Sequence, residues 1–451
     1  MNLAGAMKTA PVSGEAGQNK LAELLGTHSD LDAIARENSQ ASAVLAGIAE
    51  GSSFLWQLIA VDPGRASRLL AGNPETSRDR ILADVRTLAD GDLDEAGLMS
   101  ALRRAKQEMA LLIALADLGG VWNVPLVTAA LADLADAAIS ATLRFLLRAE
   151  IASGKFLHDP ADPEKGSGLI VLAMGKHGAR ELNYSSDIDL IVFYERSIAP
   201  LREDVDAAPF FVRLVQRLAR IMQERTADGY VFRTDLRLRP DPGSTQIAVS
   251  VEAALSYYES VGQNWERAAM LKARPCAGDL AAGAAFLKEL TPFIWRKHLD
   301  YAAIADIHAM KRQIHARRGH GAIAVEGHNL KLGRGGIREI EFFVQTQQLV
   351  AGGRNPALRV RGTEEALAAL MREGWIGEET ERDLVISYRF LRELEHRLQM
   401  VADEQTHSLP QAGDAMERFA HFAGYDSRDA FATALETQLE QVQLHYVHLF
   451  E

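Results

Sequence analysis

The chain has 451 residues, of which 47% are hydrophobic and 24% charged, and a formal net charge of −12. These proportions are ordinary for a soluble globular protein of two or three structural units. The acidic balance argues against a broad nucleic-acid surface, which needs clustered Lys and Arg, and the single cysteine, Cys276, excludes an internal disulfide and a Cys-based zinc site and fits the reducing cytoplasm.

The start, "MNLAGAMKTAPVSGEAGQNK", lacks an apolar targeting core and reads as a flexible tail over residues 1–20. Residues 21–160 are rich in Ala, Leu, Arg and Glu. "MALLIALADLGGVW" and "LVTAALADLADAAISATLRFLLRAEIA" carry helical apolar spacing, which predicts an N-terminal helical domain. The longest apolar runs, such as "ALLIALA" (Ala110 to Ala116), fall far short of the roughly 18 residues of a membrane span, so no membrane partner is expected. The Pro/Gly/Asp stretch "LHDPADPEKGSG" (Leu157 to Gly168) reads as a loop and a boundary.

A different texture follows over 161–330. "GLIVLAM" and "DIDLIVFYE" have strand length and β-branched character. Asp206 to Thr226 predicts a helix with Phe211, Leu214, Val215, Leu218 and Met222 on one stripe. "YVFRTDLRLRP" (Tyr230 to Pro240) alternates and predicts a third strand. Helices are expected over Asn264 to Asp279 and Tyr301 to Arg318. Residues 331–451 read as a C-terminal helical bundle. There "NLKLGRGGIREIEFFVQTQQLVAGG" is a Gly-rich loop feeding a helix, and Glu381 to Met400 is a long amphipathic helix. The fold class is α+β and predominantly helical, with a small mixed-sheet core between two helical bundles.

The chemistry concentrates where "DIDLIVFYE" begins. Residues two apart on a strand share a face, so Asp187 and Asp189 stand side by side, with Ile191 and Phe193 continuing that face into the core. Two adjacent carboxylates repel, and a divalent cation such as Mg²⁺ offsets that cost. The same letters at "SDLD" (Ser29 to Asp32) and "DLD" (Asp92 to Asp94) follow no strand. The first reads as a helix N-cap at Ser29 and the second as a turn, so a bare Asp-x-Asp is weak evidence. On the third strand, Asp235 lies on one face with Arg233, Arg237 and Arg239. That face reads as a solvated set of ion pairs or as a third metal carboxylate flanked by phosphate-binding arginines; the upstream pair favours the second reading.

"GK…SSDIDL" followed by "DLRLRP" resembles the nucleotidyltransferase superfamily of polymerase-β type. More narrowly, "MGKHGARELNYSSDIDLIVFYE", "GYVFRTDLRLRPDPGS", "YYESVGQNWERAAMLKARPCAGD" and "KLGRGGIREIEFFVQ" are similar to the bacterial glutamine synthetase adenylyltransferase/adenylyl-removing family. That family carries two related halves, one attaching AMP to a tyrosine of glutamine synthetase and one removing it. The full motif occurs once here, and "ELNYSSDID" is more similar to the N-terminal, adenylyl-removing half; the abrupt end at "HYVHLFE" reads as a truncation. His177 and Ala179 depart from the Leu and Gly that many relatives have in the turn after the first strand.

The resemblance implies a polymerase-β-like core and phosphorolysis of adenylyl-tyrosine, giving ADP and unmodified enzyme. Two Mg²⁺ ions would be held by Asp187, Asp189 and Asp235. Gly175 would let backbone approach a phosphate; Ser185 and Ser186 would donate to phosphate oxygens or simply form the pre-strand turn. Lys176, Arg237 and Arg239 are candidate phosphate ligands. Lys272 and Arg274 are further candidates, with surface charge as the plain alternative. Glu339 and Glu341 are separated by about 200° on a helix, so one reaches the cleft and the other is solvated or paired with Arg338. His396 reads as part of a helix face without a role. Glutamine synthetase is the implied protein substrate, with a PII-type signal protein, phosphate, and ADP or ATP as further partners. Two alternatives use the same chain: transfer of AMP from ATP to the tyrosine, or a docking half without turnover.

Overall fold

In the computed structural model, residues 1–296, 323–411 and 413–448 are described. The predicted helix Tyr301 to Arg318 lies outside them.

The first 160 residues are helical: α1 (Leu3–Ala6), α2 (Glu15–Leu25), α3 (Ser29–Glu37), α4 (Ser39–Gly51), α5 (Ser53–Val61), α6 (Pro63–Ala71), α7 (Pro74–Thr87), α8 (Glu95–Leu118) and α9 (Val124–Ala152). Short polar caps start several of them: Ser52, Asp62, Asn73, Asp94 and Asn123 each accept a backbone N–H of the first turn. Ser29 is not a cap as expected. It is the first residue of α3, and its hydroxyl turns to Asp30 instead. The N-terminal stretch is not a loose tail. Leu3, Ala4 and Met7 are buried, and backbone bonds from Leu3 to Gly72, Lys8 to Gly119 and Val12 to His421 fix it. Helix α9 is long and apolar enough by composition to cross a membrane, which the short contiguous apolar runs did not suggest. However, 72% of its most apolar window is buried in the protein, as expected of a central core helix.

The sheet contains β1 (Leu169–Ala173), β2 (Asp187–Tyr194), β3 (Arg233–Asp235), β4 (Ala248–Ser250) and β5 (Arg274–Gly278). Its order is β3-β2-β1-β5, with β4 beside the far end of β2. β1 is antiparallel to β2 and β5; β2 is parallel to β3 and β4. The alternation of β1 and β2 divides the core. Leu169, Val171, Ala173, Ile188, Leu190 and Val192 join the N-terminal helices in one apolar cluster. Ile170, Leu172, Ile191 and Phe193 face the other way, towards the helices that follow β4. The loop at 157–168 is therefore no boundary in packing.

Helix α10 (Gly175–Gly178) follows β1, and α11 (Ala207–Gln223) follows β2 with the expected stripe buried. Then come α12 (Val251–Ser260), α13 (Asn264–Met270), α14 (Leu280–Glu289) and α15 (Thr291–Ile294). Two expectations need correction here. The third strand is three residues rather than eleven. The Asp235 carboxylate accepts the backbone N–H of Arg237 (2.8 Å), and Arg239 binds the carbonyls of Leu236, Pro242 and Thr245, so the chain folds into a turn. The helix expected over Asn264 to Asp279 ends at Met270, and "RPCAG" is the edge strand β5. Pro275, without an N–H, is tolerated at that edge.

The C-terminal helices are α16 (Ile337–Ala351), α17 (Thr363–Arg372), α18 (Glu378–Met400), α19 (Asp414–Phe422) and α20 (Arg428–His448). They enclose a separate apolar core that includes Ile337, Ile340, Leu367, Leu391, Phe419 and Leu439.

Candidate active site

The paired acids open β2, and the parallel register sets Asp187 beside Arg233 and Asp189 beside Asp235. Same-face neighbours on paired strands stand close. Asp187, Asp189 and Asp235 each offer an oxygen within 4.8 Å of the others. All three are partly exposed, whereas Ile191 and Phe193 on the same face of β2 are fully buried. The rigid core thus carries the acids at its rim.

The electrostatics single out Asp189. Burial, then the charges of Asp187 and Asp235, push its carboxyl up to about 7, with Lys331 and Arg237 pulling the other way. Asp235 is held below the usual carboxylate range, first by its hydrogen bonds from Arg237. Three converging carboxylates with no sulfur or imidazole form a hard oxygen donor set, which suits Mg²⁺ rather than zinc. A cation there would remove the repulsion that raises Asp189. The residues therefore fit the expected metal.

The glycine turn serves the acids directly. Gly175 has φ +53°, and a Cβ on it would lie 2.8 Å from Asp189 Oδ2. Any side chain there would displace the carboxylate. Next to it, Lys176 is mostly buried, its side chain 11% exposed, and its Nζ sits 3.1 Å from Glu395 Oε2. Burial pushes its ammonium down to about 8, against the pull of Glu395. Ser185 is buried. Its backbone N–H donates to Gln399 Oε1 (2.8 Å), and Arg233 donates to its carbonyl (2.7 Å) and hydroxyl (3.1 Å). The Ser186 hydroxyl turns to Asp187 Oδ1 (3.5 Å). Arg237 is exposed and bound to both oxygens of Asp235, while Arg239 is committed to turn carbonyls.

Lys272 and Arg274 are not surface charges. Lys272 is buried between Glu181 (3.0 Å) and Glu341 (3.3 Å). Arg274 grips both oxygens of Asp136 (2.7 and 3.1 Å), whose Oδ1 also meets His177 Nε2 at 2.7 Å. Asp136, His177 and Cys276 offer atoms within metal-ligand reach of each other, but both Asp136 oxygens are taken, so the group reads as a buried ion-pair knot. Neither Glu339 nor Glu341 is solvated. Glu339 accepts from the Gly335 N–H (2.9 Å) and from Gln443 (3.0 Å), and Glu341 lies between Lys272 and Arg338. His396 is fully buried, 3.7 Å from Asp117, rather than on an open helix face.

Three residues near the acids carried no readable signal. Gln405 Nε2 donates to Asp187 Oδ1 (2.8 Å). Glu395 holds Lys176, and His407 Nδ1 lies 2.7 Å from Glu395 Oε1. All come from the C-terminal region, more than 200 residues along the chain from the acids or the turn they serve. Only the Gly-rich "KLGRGG" hinted that this region comes close.

A family model described as glutamate-ammonia ligase adenylyltransferase matches residues 40–289, and one described as PII-uridylyltransferase matches residues 306–450. Curated relatives carry the name bifunctional glutamine synthetase adenylyltransferase/adenylyl-removing enzyme. The one from Xanthobacter autotrophicus is 57% identical over 459 residues, covering 100% of this chain and 46% of that protein. One from Rhodopseudomonas palustris is 59% identical over 408 residues, 90% of this chain and 41% of that protein. One from a Bradyrhizobium species is 59% identical over 412 residues, 91% of this chain and 42% of that protein. The chain spans about half the length of the curated relatives it matches.

Proposed function

The chain belongs to the glutamate-ammonia ligase adenylyltransferase family, and on that premise we propose that it removes AMP from adenylyl-tyrosyl glutamine synthetase by phosphorolysis. The observation that carries the chemistry is the convergence of Asp187, Asp189 and Asp235 at the rim of a rigid sheet. The removing direction rests on "ELNYSSDID" (Glu181 to Asp189), which is more similar to the removing half of the family.

An oxygen of inorganic phosphate attacks the AMP phosphorus. The P–O bond to tyrosine breaks, the tyrosine oxygen leaves with the electron pair and takes a proton, and ADP is formed. A phenol of pKa about 10 is a workable leaving group. Mg²⁺ held by the three carboxylates would supply charge neutralisation at the phosphoryl oxygens. The chain's own part is placement. Gly175 leaves room for the Asp189 carboxylate, and Gln405 and Ser186 orient Asp187. Arg237 keeps Asp235 ionised and presents an exposed guanidinium beside it. Glutamine synthetase is the proposed protein substrate, and a PII-type signal protein the proposed regulator.

The test is ADP formation from adenylylated glutamine synthetase, phosphate and Mg²⁺. Wild-type protein should form ADP in proportion to phosphate. Asp187→Asn and Asp189→Asn should each lose roughly 10³-fold, the scale of several kcal/mol of charge stabilisation. Release of pyrophosphate from ATP and unmodified synthetase, with no ADP from phosphate, would reverse the proposed direction. Binding without either product would leave a docking half.

A further inference from the structure

The segment that follows α18 crosses to the acids as a strap. Asp403, left-handed at φ +52°, turns the chain away from the helix. Two residues on, Gln405 Nε2 donates to Asp187 Oδ1 (2.8 Å). Gln405 is exposed, where one hydrogen bond holds a long side chain poorly. Here the backbone around it is held instead. At the near end, the start of α5 grips the strap. Ser52 Oγ donates to the Met400 carbonyl (2.5 Å), and the Ser53 hydroxyl (3.1 Å) and Phe54 N–H (3.3 Å) donate to the Val401 carbonyl. In the middle, the Thr406 N–H donates to the Glu404 carbonyl (2.8 Å), closing a tight turn at Gln405. Gln399 Nε2 meets the Thr406 carbonyl (3.4 Å), while Gln399 Oε1 accepts from Ser185 in the turn before the acids. At the far end the strap pairs with a second segment. The Leu330 N–H donates to the His407 carbonyl (2.8 Å) and the Leu409 N–H to the His328 carbonyl (2.9 Å), around a bridge between Asn329 and Ser408.

On Asp187, the bonds from Gln405 and Ser186 both fall on Oδ1, and Oδ2 has no donor among the described residues. The Ser186 contact, at 3.5 Å, lies at the limit of a hydrogen bond, so Gln405 does most of the holding. A carboxylate pinned through one oxygen presents the other in a fixed direction. The neutral amide does this without cancelling the charge, unlike the guanidinium on Asp235. Donors behind the ligands of a metal commonly carry roughly 10- to 100-fold of its affinity.

We infer that the strap sets the affinity of the three carboxylates for their cation: Gln405 is a positioning residue that holds Asp187, and the start of α5 in turn holds Gln405 in place. This rests on the proposed reaction only through its cation, not through the direction of AMP transfer. It makes a property of the sheet depend on residues from both helical regions.

The test uses the full chain without phosphate or synthetase. Mn²⁺ is the probe, since it takes the same oxygen ligands as Mg²⁺ and its free form is counted by electron paramagnetic resonance. Gln405→Met keeps the length of the side chain and removes the donor. It should weaken Mn²⁺ binding about 10-fold with an unchanged thermal midpoint. Gln405→Asn keeps the amide but shortens the reach, and should weaken binding similarly. Ser53→Ala removes one hold on the strap, and should weaken binding about 3-fold, the scale of one hydrogen bond. In turnover, the Met variant should need about 10-fold more Mg²⁺ for half-maximal ADP formation, with kcat at saturating Mg²⁺ within a few-fold of wild type. Unchanged or tighter Mn²⁺ binding in both Gln405 variants overturns the assignment, as does a lowered thermal midpoint with unchanged affinity. A Gln405→Met effect without any Ser53→Ala effect overturns the hold from α5. Wild-type chain that binds no Mn²⁺ overturns the carboxylate metal site and this inference together. Expected Mn²⁺ affinities without ADP formation overturn phosphorolysis and leave this inference standing.

Discussion

The two helical regions hold the sheet by different physics. On the N-terminal side, α8, α9 and α11 share one continuous apolar core with β1 and β2, and Asp136 with His177 and Arg274 is the main ionic exception. On the C-terminal side, the helices keep a core largely of their own, with Leu349 joining the cluster under the sheet and Met400 and Phe422 the N-terminal one, and they meet the turn before the acids through buried charge. Lys176 pairs with Glu395, and Lys272 with Glu181 and Glu341. Arg392 donates to the Glu181 carbonyl and Asn183 Oδ1, and a further buried pair, Arg397 with Asp117 (2.8 Å), ties the same helix to α8 of the N-terminal region. An apolar seam is non-directional and indifferent to pH. A buried ionic seam contributes little net stability but fixes geometry, because each partner is costly to leave alone. The residues it fixes are those of the turn from Lys176 to Ser185, which leads directly into the acids.

Acid should separate the two seams most sharply. Burial opposes charge on Glu341 and Glu395, but Lys272 and Arg338 for the first, and Lys176, His407 and Arg392 for the second, outweigh it and hold both well below the usual range. Lowered folded values mean that the unfolded chain binds more protons. Their contribution is full above the ordinary value of 4.5 and is lost as pH falls through the folded values. Urea unfolding at descending pH should therefore show the C-terminal region loosening first, with the N-terminal core still protected in hydrogen exchange. Simultaneous loss of both would erase the distinction.

Next in size is Glu395→Gln, which strands Lys176 and Arg392 in a buried site. A cost of about 3–5 kcal/mol is expected, together with a fall in ADP formation per folded molecule because the turn is released. Full activity in the folded fraction would show that the ionic seam does not set the site. The smallest effect belongs to Leu190→Ala, fully buried against the N-terminal helices. It should cost about 3 kcal/mol by chemical denaturation, with no pH dependence of that cost between pH 4 and 7 and near-normal activity per folded molecule.

Local patterns in the sequence were readable where a residue's partners are local. The alternation of β2 puts Asp187 and Asp189 on one face, and the stripe of α11 is buried as its spacing requires. Legibility failed where partners are remote. Arg392, Glu395, His396 and Gln399 look like the polar side of an amphipathic helix, yet each is fully buried, because partners such as Lys176, Asn183 and Ser185 lie some two hundred residues earlier. The strand β5 was hidden for another reason. "RPCAG" has no β-branched or aromatic residue, and only its pairing with β1 makes it extended. The N-terminal stretch failed similarly. Its small side chains look featureless, yet they fit between helices that only the folded chain assembles.

The Ser52 hydroxyl donates to the Met400 carbonyl (2.5 Å) across 348 positions, and the Gln405 bond to Asp187 spans 218. Contacts of such sequence separation are late and slow to form, since loop closure must precede any gain from them. The acids can reach their places on the sheet while the far end of the chain is still finding its seat. Refolding should accordingly restore strand structure well before it restores turnover, and a chain interrupted during synthesis would own the carboxylates without owning the reaction.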